Sequence, residues 1–327
     1  MITIKQIAEE ANVSVASVSR YFNNKAVLSL KKQKAIADVV DKHGYVPNSI
    51  GRSLRMARSG KILILLPTME NPMYLRIITA IENECYQYGY TALVCDTHRN
   101  PHKERHLLSM LENHYADGAI LFSSTLNGKE LESLAKRYPI VLCCEQRPDA
   151  AVASVSIDDY AAAYEAVEHL LNMGHTRIAI ALGSEVYGST VFRREGYMDA
   201  LKSRNISITA DYILVGDYGY NSGMKCVEKL AKIKPMPTAV LCISDAVAIG
   251  AIKKCRELDI KMAVAGFDNT SITRVYMPSV TSVAQPRSLM GTTAMQLLHA
   301  MIMNPKEKHV KKILPHQLVV RESTLIC

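Results

Sequence analysis

Residues 12–24 read NVSVASVSRYFNN. Asn12 can adopt the left-handed backbone that closes a helix. Ser14 can cap the next helix by accepting a free backbone N–H, and the pattern predicts a short helix from Val15 to about Tyr21, with Val18 turned inward. Upstream, Thr3-Ile4-Lys5-Gln6 reads as a capping box, followed by Ile4, Ile7, Ala8 and Ala11 at helical spacing. Downstream, Ser29 is placed to cap a third helix, with Ile36, Val39 and Val40 inward and Gly44 at its end. Two short helices around a tight turn, braced by a third, describe a helix-turn-helix unit, although a plain three-helix bundle fits the same pattern.

Charge is distributed unevenly around this unit. Of the net +8, +7 falls within the first 61 residues, where eleven Lys and Arg face four Asp and Glu. A basic head on a near-neutral body implies a polyanion partner for the head; a merely solvated charged face is the alternative. Val15 and Ala16 are small and apolar, suited to a thymine methyl or to a close approach to base edges. Arg20 can reach a guanine edge or a phosphate, and the capped start of the second helix offers N–H groups to a phosphate.

The next segment, YVPNSIGRSLRMARSGK, strengthens the reading. Pro47 stops any earlier helix, Asn48 can cap a short one from Ser49 to Met56, and Gly51 inside it costs about 1 kcal/mol relative to Ala. So short a helix is mostly unfolded alone. Leu54 stands among Arg52, Arg55 and Arg58, an apolar wedge flanked by cations of the kind minor-groove binders push into a base step.

TIKQIAEEANVSVASVSRYFNN, GYVPNSIGRSL, HLLNMGHTRIAIALG, RREGY, SDAVAIGAI, GFDN and the terminal VVREST occur in that order. Together they resemble the lactose-repressor/galactose-repressor (LacI/GalR) family of transcriptional regulators over the whole chain. SIDDYAAAYEAV, GDYGYNSG and SVAQPRSLMG are similar to its cytidine-repressor branch. The resemblance implies that Ser14, Val15, Ala16, Ser19 and Arg20 line a major groove, that the hinge helix folds on the operator, and that Leu54 intercalates. The candidate DNA contacts are thus Thr3, Ser14, Val15, Ala16, Ser19, Arg20, Asn23, Ser29, Lys32, Asn48 and Leu54. The sequence departs from the family at Lys32-Gln33, where Thr-Arg is usual, which leaves Lys32 as a point charge for phosphate.

Beyond Lys61, short apolar strands (KILILLP, YTALVCD, ADGAILFSS, PIVLCCE, RIAIALG, YILVGD, TAVLCIS, MAVAGFD) alternate with amphipathic helices, among them 71–88, 101–113 and 193–204. This alternation means parallel sheets covered by helices, and the remaining length suits two lobes. The expected fold is α/β: an all-α helix-turn-helix head over 1–46, a hinge helix and linker over 47–60, and a two-lobed periplasmic-binding-protein-like body over 61–327. The crossings between lobes fall near 158–160, 285–288 and 315–318. Ligands of such sheets sit beyond the carboxyl ends of the strands. Asp268 at a strand end can accept hydrogen bonds, and Arg193, at the start of its helix, can donate two. Tyr218 can stack on a ring. The resemblance implies effector contacts at Met73, Tyr74, Arg193, Tyr218, Ser244, Asp268 and Gln285, whereas Asp158 and Asp245 read as helix caps.

Other chemistry is weakly represented. Gly183-x4-Gly188-Ser189-Thr190 carries Ser where a phosphate loop needs Lys, and no two glycines are two apart as a dinucleotide fingerprint requires. The eight cysteines show no CxxC spacing and read as reduced thiols. His98, His102 and His106 lack a carboxylate or thiol arrangement for metal. No catalytic set, metal site or cofactor is expected. The start MITIKQIAEE lacks a signal pattern, and Ile62–Leu66 is too short to span a bilayer. The expectation is a cytoplasmic, homodimeric, effector-controlled regulator, most simply a repressor, without tetramers through a leucine-heptad tail. The partners are operator DNA and a sugar, sugar derivative or nucleoside. The alternative is a cytoplasmic sugar- or nucleoside-binding protein, or a sugar-handling enzyme, with no DNA role.

Overall fold

The computed structural model describes residues 2–23, 27–45, 58–183, 188–304 and 310–325. The chain divides into two compact units, Met1–Ser59 and Gly60–Cys327.

In the first unit, α1 (Ile4–Glu10), α2 (Val15–Asn23) and α3 (Leu30–His43) enclose a core of Ile7, Ala8, Val18, Leu28, Ile36 and Val39. All but one of the expected caps form. Thr3 and Gln6 make the reciprocal capping box, Asn12 turns at φ +48°, and Ser14 Oγ accepts the Ser17 N–H at 3.2 Å. Gly44 closes α3 in the left-handed region. Ser29 holds the cap position of α3 but makes no side-chain cap bond. Gln33 instead steadies that turn, donating Nε2 to the Leu28 carbonyl at 2.8 Å. Glu10 ties α1 to α3 through Lys42 and His43.

The second unit holds two six-stranded sheets. In the first lobe the strands are β1 (Lys61–Leu66), β2 (Thr91–Asp96), β3 (Gly118–Phe122), β4 (Ile140–Cys143), β5 (Ala153–Ile157) and β11 (Lys311–Leu314), in the order β11-β5-β4-β3-β1-β2 and all parallel. The second lobe contains β6 (Ile178–Leu182), β7 (Ile213–Val215), β8 (Ala239–Cys242), β9 (Ala263–Asp268), β10 (Thr281–Ala284) and β12 (Gln317–Val319), in the order β12-β10-β9-β8-β6-β7. Its edge strand β12 runs antiparallel to β10. Strands buried on both faces read as continuous apolar runs, which is why KILILL and AVAGFD stand out in the sequence.

Helices cover both sheets. The first lobe carries α4 (Met73–Gln87), α5 (Pro101–Glu112) and α6 (Gly128–Arg137); the second carries α7 (Asp159–Asn172), α8 (Gly188–Ser203), α9 (Tyr220–Leu230), α10 (Asp245–Glu257) and the short α11 (Ile272–Val275). The last helix, α12 (Arg287–Met303), follows β10 yet returns to the first lobe, where Met290, Met295 and Leu298 pack with Ile77 and Ile81 of α4. The chain therefore passes between sheets after Ile157, after Ala284 and after Leu314.

Two sequence expectations need correction. The helix expected from Arg193 begins five residues earlier, at Gly188, so Arg193 lies in its second turn rather than at its start. Ser244, not Asp245, caps α10. Strands β5, β10, β11 and β12 are short and mix polar with apolar residues, so no apolar run marks them in the sequence.

Candidate functional site

Two places concentrate chemistry. On the head, Val18 and Ser17 turn α2 inward, which leaves Ser14, Val15, Ala16 and Arg20 exposed along its other face. Val15 is 42% exposed although apolar. Burying it against another molecule would return about 25 cal/mol for each Å² removed from water. Lys5, Asn12, Ser14, Val15 and Lys32 line one hollow beside that face. Thr3 and Ser29 are exposed near the starts of α1 and α3. Ser19 is half-buried, and Asn23 is the last residue of α2. Asn48 and Leu54, with the expected hinge helix, lie outside the described residues.

In the body, Met73, Asp268 and Gln285 touch one another beyond the carboxyl ends of the strands, and Ser244 touches Tyr218. Asp268 ends β9 with a φ of +104° and is buried. Gln285, just beyond β10, donates Nε2 to Asp268 Oδ1 at 2.8 Å and lies 3.9 Å from the sulfur of Met73, at the start of α4 in the other lobe. Burial first, and the Asp245 carboxylate second, hold the Asp268 carboxyl well above the ordinary carboxylate range. Tyr74 packs edge-to-face on Phe122 at 5.3 Å. Burial, with Cys144, Tyr218 and Asp268 nearby, raises its phenol.

Arg193 is engaged inside the protein. Its Nε donates to Asp159 Oδ1 at 2.8 Å and its Nη1 to the Ile243 carbonyl at 2.7 Å, while the guanidinium lies over the Phe267 ring at 3.6 Å. Burial opposes its charge, but Asp159 and Asp268 outweigh that and keep it a firm cation. Tyr218 shares a hydrogen bond of 2.8 Å with Thr190, and Arg99, following β2 of the first lobe, lies 5.3 Å from its ring.

Ser244 binds the same wall: its hydroxyl donates to the Tyr218 carbonyl and accepts the Val247 N–H. Asp158 caps α7 as expected. Asp245 does other work: buried at the start of α10, it accepts bonds from Thr270 and Ser282.

Sequence reasoning missed Asp159, Thr190 and Arg99. The doubled Asp in SIDDY was a signal for the first, because one of the pair was surplus to capping. Nothing local marked the others. Among the described residues no group of three or more His, Cys, Asp or Glu could hold a metal, and no helix is long and apolar enough to cross a membrane.

A helical head of this kind on a two-lobed body with a polar cleft is one combination, and family comparison matches both parts. A family model described as bacterial regulatory proteins, lacI family, matches residues 3–48. A second, described as periplasmic binding proteins and sugar binding domain of LacI family, matches residues 59–322. The chain belongs to the LacI family. Over 330 residues it is 32% identical to catabolite control protein A of Priestia megaterium, covering 99% of each chain. The HTH-type transcriptional repressor CytR of Escherichia coli (strain K12) is 30% identical over 327 residues, covering 98% of this chain and 96% of the relative.

Among solved structures, the lac repressor dimer bound to operator and the anti-inducer ONPF shares the fold, with a TM-score of 0.87 at 23% identity over 99% of each chain. The transcriptional regulator CelR in complex with cellobiose aligns at a TM-score of 0.75 and 25% identity, over 99% of this chain and 100% of that one. LacI-family membership makes this chain a regulator rather than an enzyme.

Proposed function

We propose that this LacI-family chain is a cytoplasmic repressor that binds a near-palindromic operator as a homodimer under control of a small molecule in the cleft between its lobes. The division of labour follows the expected boundaries: a head to residue 46, a hinge over 47–60, and an effector-binding and dimerising body from 61 onward. The observation that carries the reading is the exposed face of α2. Val15, Ala16 and Arg20 stand out of a cap-defined turn, and the first 61 residues, head and hinge together, bear +7 of the chain's +8 charge. Two such heads related by a two-fold axis read two half-sites.

The cleft chemistry suits an uncharged, hydroxyl-rich effector. Asp268 and Gln285 are acceptor and donor for hydroxyls, and Tyr74 and Tyr218 offer aromatic surface. A sugar, sugar derivative or nucleoside has this character. Arg193 contributes by fixing Asp159 and the wall beside Asp268. Whatever the effector, it must bind the operator-competent and operator-incompetent states unequally to control the switch.

A gel shift on the DNA upstream of the protein's own gene, at two salt concentrations and with a panel of sugars and nucleosides, tests the proposal. Specific retention that weakens steeply with salt and responds to one ligand class is expected. Retention no better than on random duplex, with or without ligands, would favour the small-molecule carrier without a DNA role.

A further inference from the structure

The loop after β4 in the first lobe meets the start of α8 in the second with room only for backbone. A Cβ on Gly188 would lie 2.1 Å from the Gln146 carbonyl oxygen. Gln146 in turn donates Nε2 to the Ile157 carbonyl at 2.7 Å, just before the first crossing between lobes. Beside this contact Glu145 is 0% exposed. One of its oxygens, Oε2, accepts the Ser124 N–H at 2.9 Å, and the Gly188 N–H at the head of α8 is near enough to favour the ionised carboxylate. An acid of one lobe thus lies beside the start of a 16-residue helix of the other.

The second oxygen, Oε1, has no hydrogen-bond partner among the described residues. Arg147 Nη1 lies 3.9 Å from it, but that guanidinium is committed to Asp149 and the Leu126 carbonyl. The other charged group facing Glu145 is Glu104 of α5, itself held by Ser124 Oγ and by Thr125. Ser124 therefore bridges two buried carboxylates. The loop after β3 and the start of α8 contribute N–H groups to the surroundings; Glu104, Arg147 and Asp149 contribute the charges.

We infer that Glu145 is a positioning residue whose proton uptake accompanies the approach of the two lobes. Loss of water around an acid with one orphan oxygen is the largest influence on it and raises its carboxyl to about 7. The Gly188 N–H and the positive end of α8 favour the ionised form, but they rank below burial. Parting the lobes admits water to Glu145 and restores the ordinary carboxylate range. The closed arrangement therefore gains on the open one as pH falls through about 7. The consequence for effector control rests on the proposed function; the measurements below need neither effector nor operator, so the two can fail separately.

The test uses the full-length chain without ligand. Amide exchange at residues 188–190, corrected for its chemical pH dependence, is compared at about pH 6 and about pH 8. First-turn N–H groups lack partners within their helix, so their protection reports the contact with the other lobe. In the wild type, exchange there is expected to be several-fold faster at the higher pH. Glu145→Gln should remove that difference. Gly188→Ala, which pushes α8 off the Gln146 carbonyl while keeping the acid, should exchange fast at both pH values. Exchange independent of pH in the wild type, or an unchanged pH dependence in Glu145→Gln, overturns the inference. If Glu145→Gln does not fold, wild-type protection in Gly188→Ala overturns it equally.

Discussion

Asp245 illustrates what a single residue does here. The sequence placed it at a helix start and suggested a cap; the structure buries it and surrounds it with donors from Thr270 N, Thr270 Oγ and Ser282 Oγ at 2.6, 2.8 and 2.5 Å. Burial nevertheless outweighs these donors and raises its carboxyl from 3.8 to about 6. The folded state thus holds this proton more tightly than the unfolded state does. Its contribution to stability is full below pH 3.8 and is lost as pH rises to about 6. Urea unfolding across that range should show the decline in the wild type and a shallower one in Asp245→Asn. That variant should also be less stable by about 1–3 kcal/mol, because an amide N–H2 would face a donor. Arg193 makes the complementary point. Its residue type signalled a double hydrogen-bond donor, but its partner Asp159 stands 34 residues away, and only the fold brings them together.

At the scale of elements, periodicity served where elements are long or buried. Helices α1 to α3 with their caps, and the apolar strands β1, β3, β6, β8 and β9, follow from local pattern. The strands that escaped notice owe their existence to partners. β11 pairs with β5 across more than 150 residues, Lys311 opposite Ser154, and neither has an apolar run of its own strong enough to declare it. The early start of α8 has the same origin: Gly188-Ser189-Thr190 reads as loop until Gly188 fits beneath Gln146. Close helix approach recurs between α9 and α10, where a Cβ on Gly223 would lie 1.9 Å from the Val247 carbonyl oxygen. Gly223→Ala should therefore destabilise the second lobe by about 1–3 kcal/mol, as overpacking does. Thermal unfolding of the full-length protein checks this; an unchanged melting temperature would mean the helices part without cost.

At the scale of the whole molecule, the head and the body are separate compact units, which lets a change in one spare the other. Leu54→Ala should weaken operator binding while leaving the melting of the body unchanged; equal operator affinity in that variant would remove the wedge from the mechanism. The sequence by itself determined the helix-turn-helix head, the concentration of positive charge there, the alternation of strands and helices, and the family. These depend on neighbours a few residues apart, on caps, spacing and composition. Only the tertiary structure decided that Arg193 answers to Asp159, that Glu145 is buried beside the start of a helix of the opposite lobe, and which short mixed segments become strands. Those outcomes depend on which distant groups lose their water together, and no local pattern encodes that.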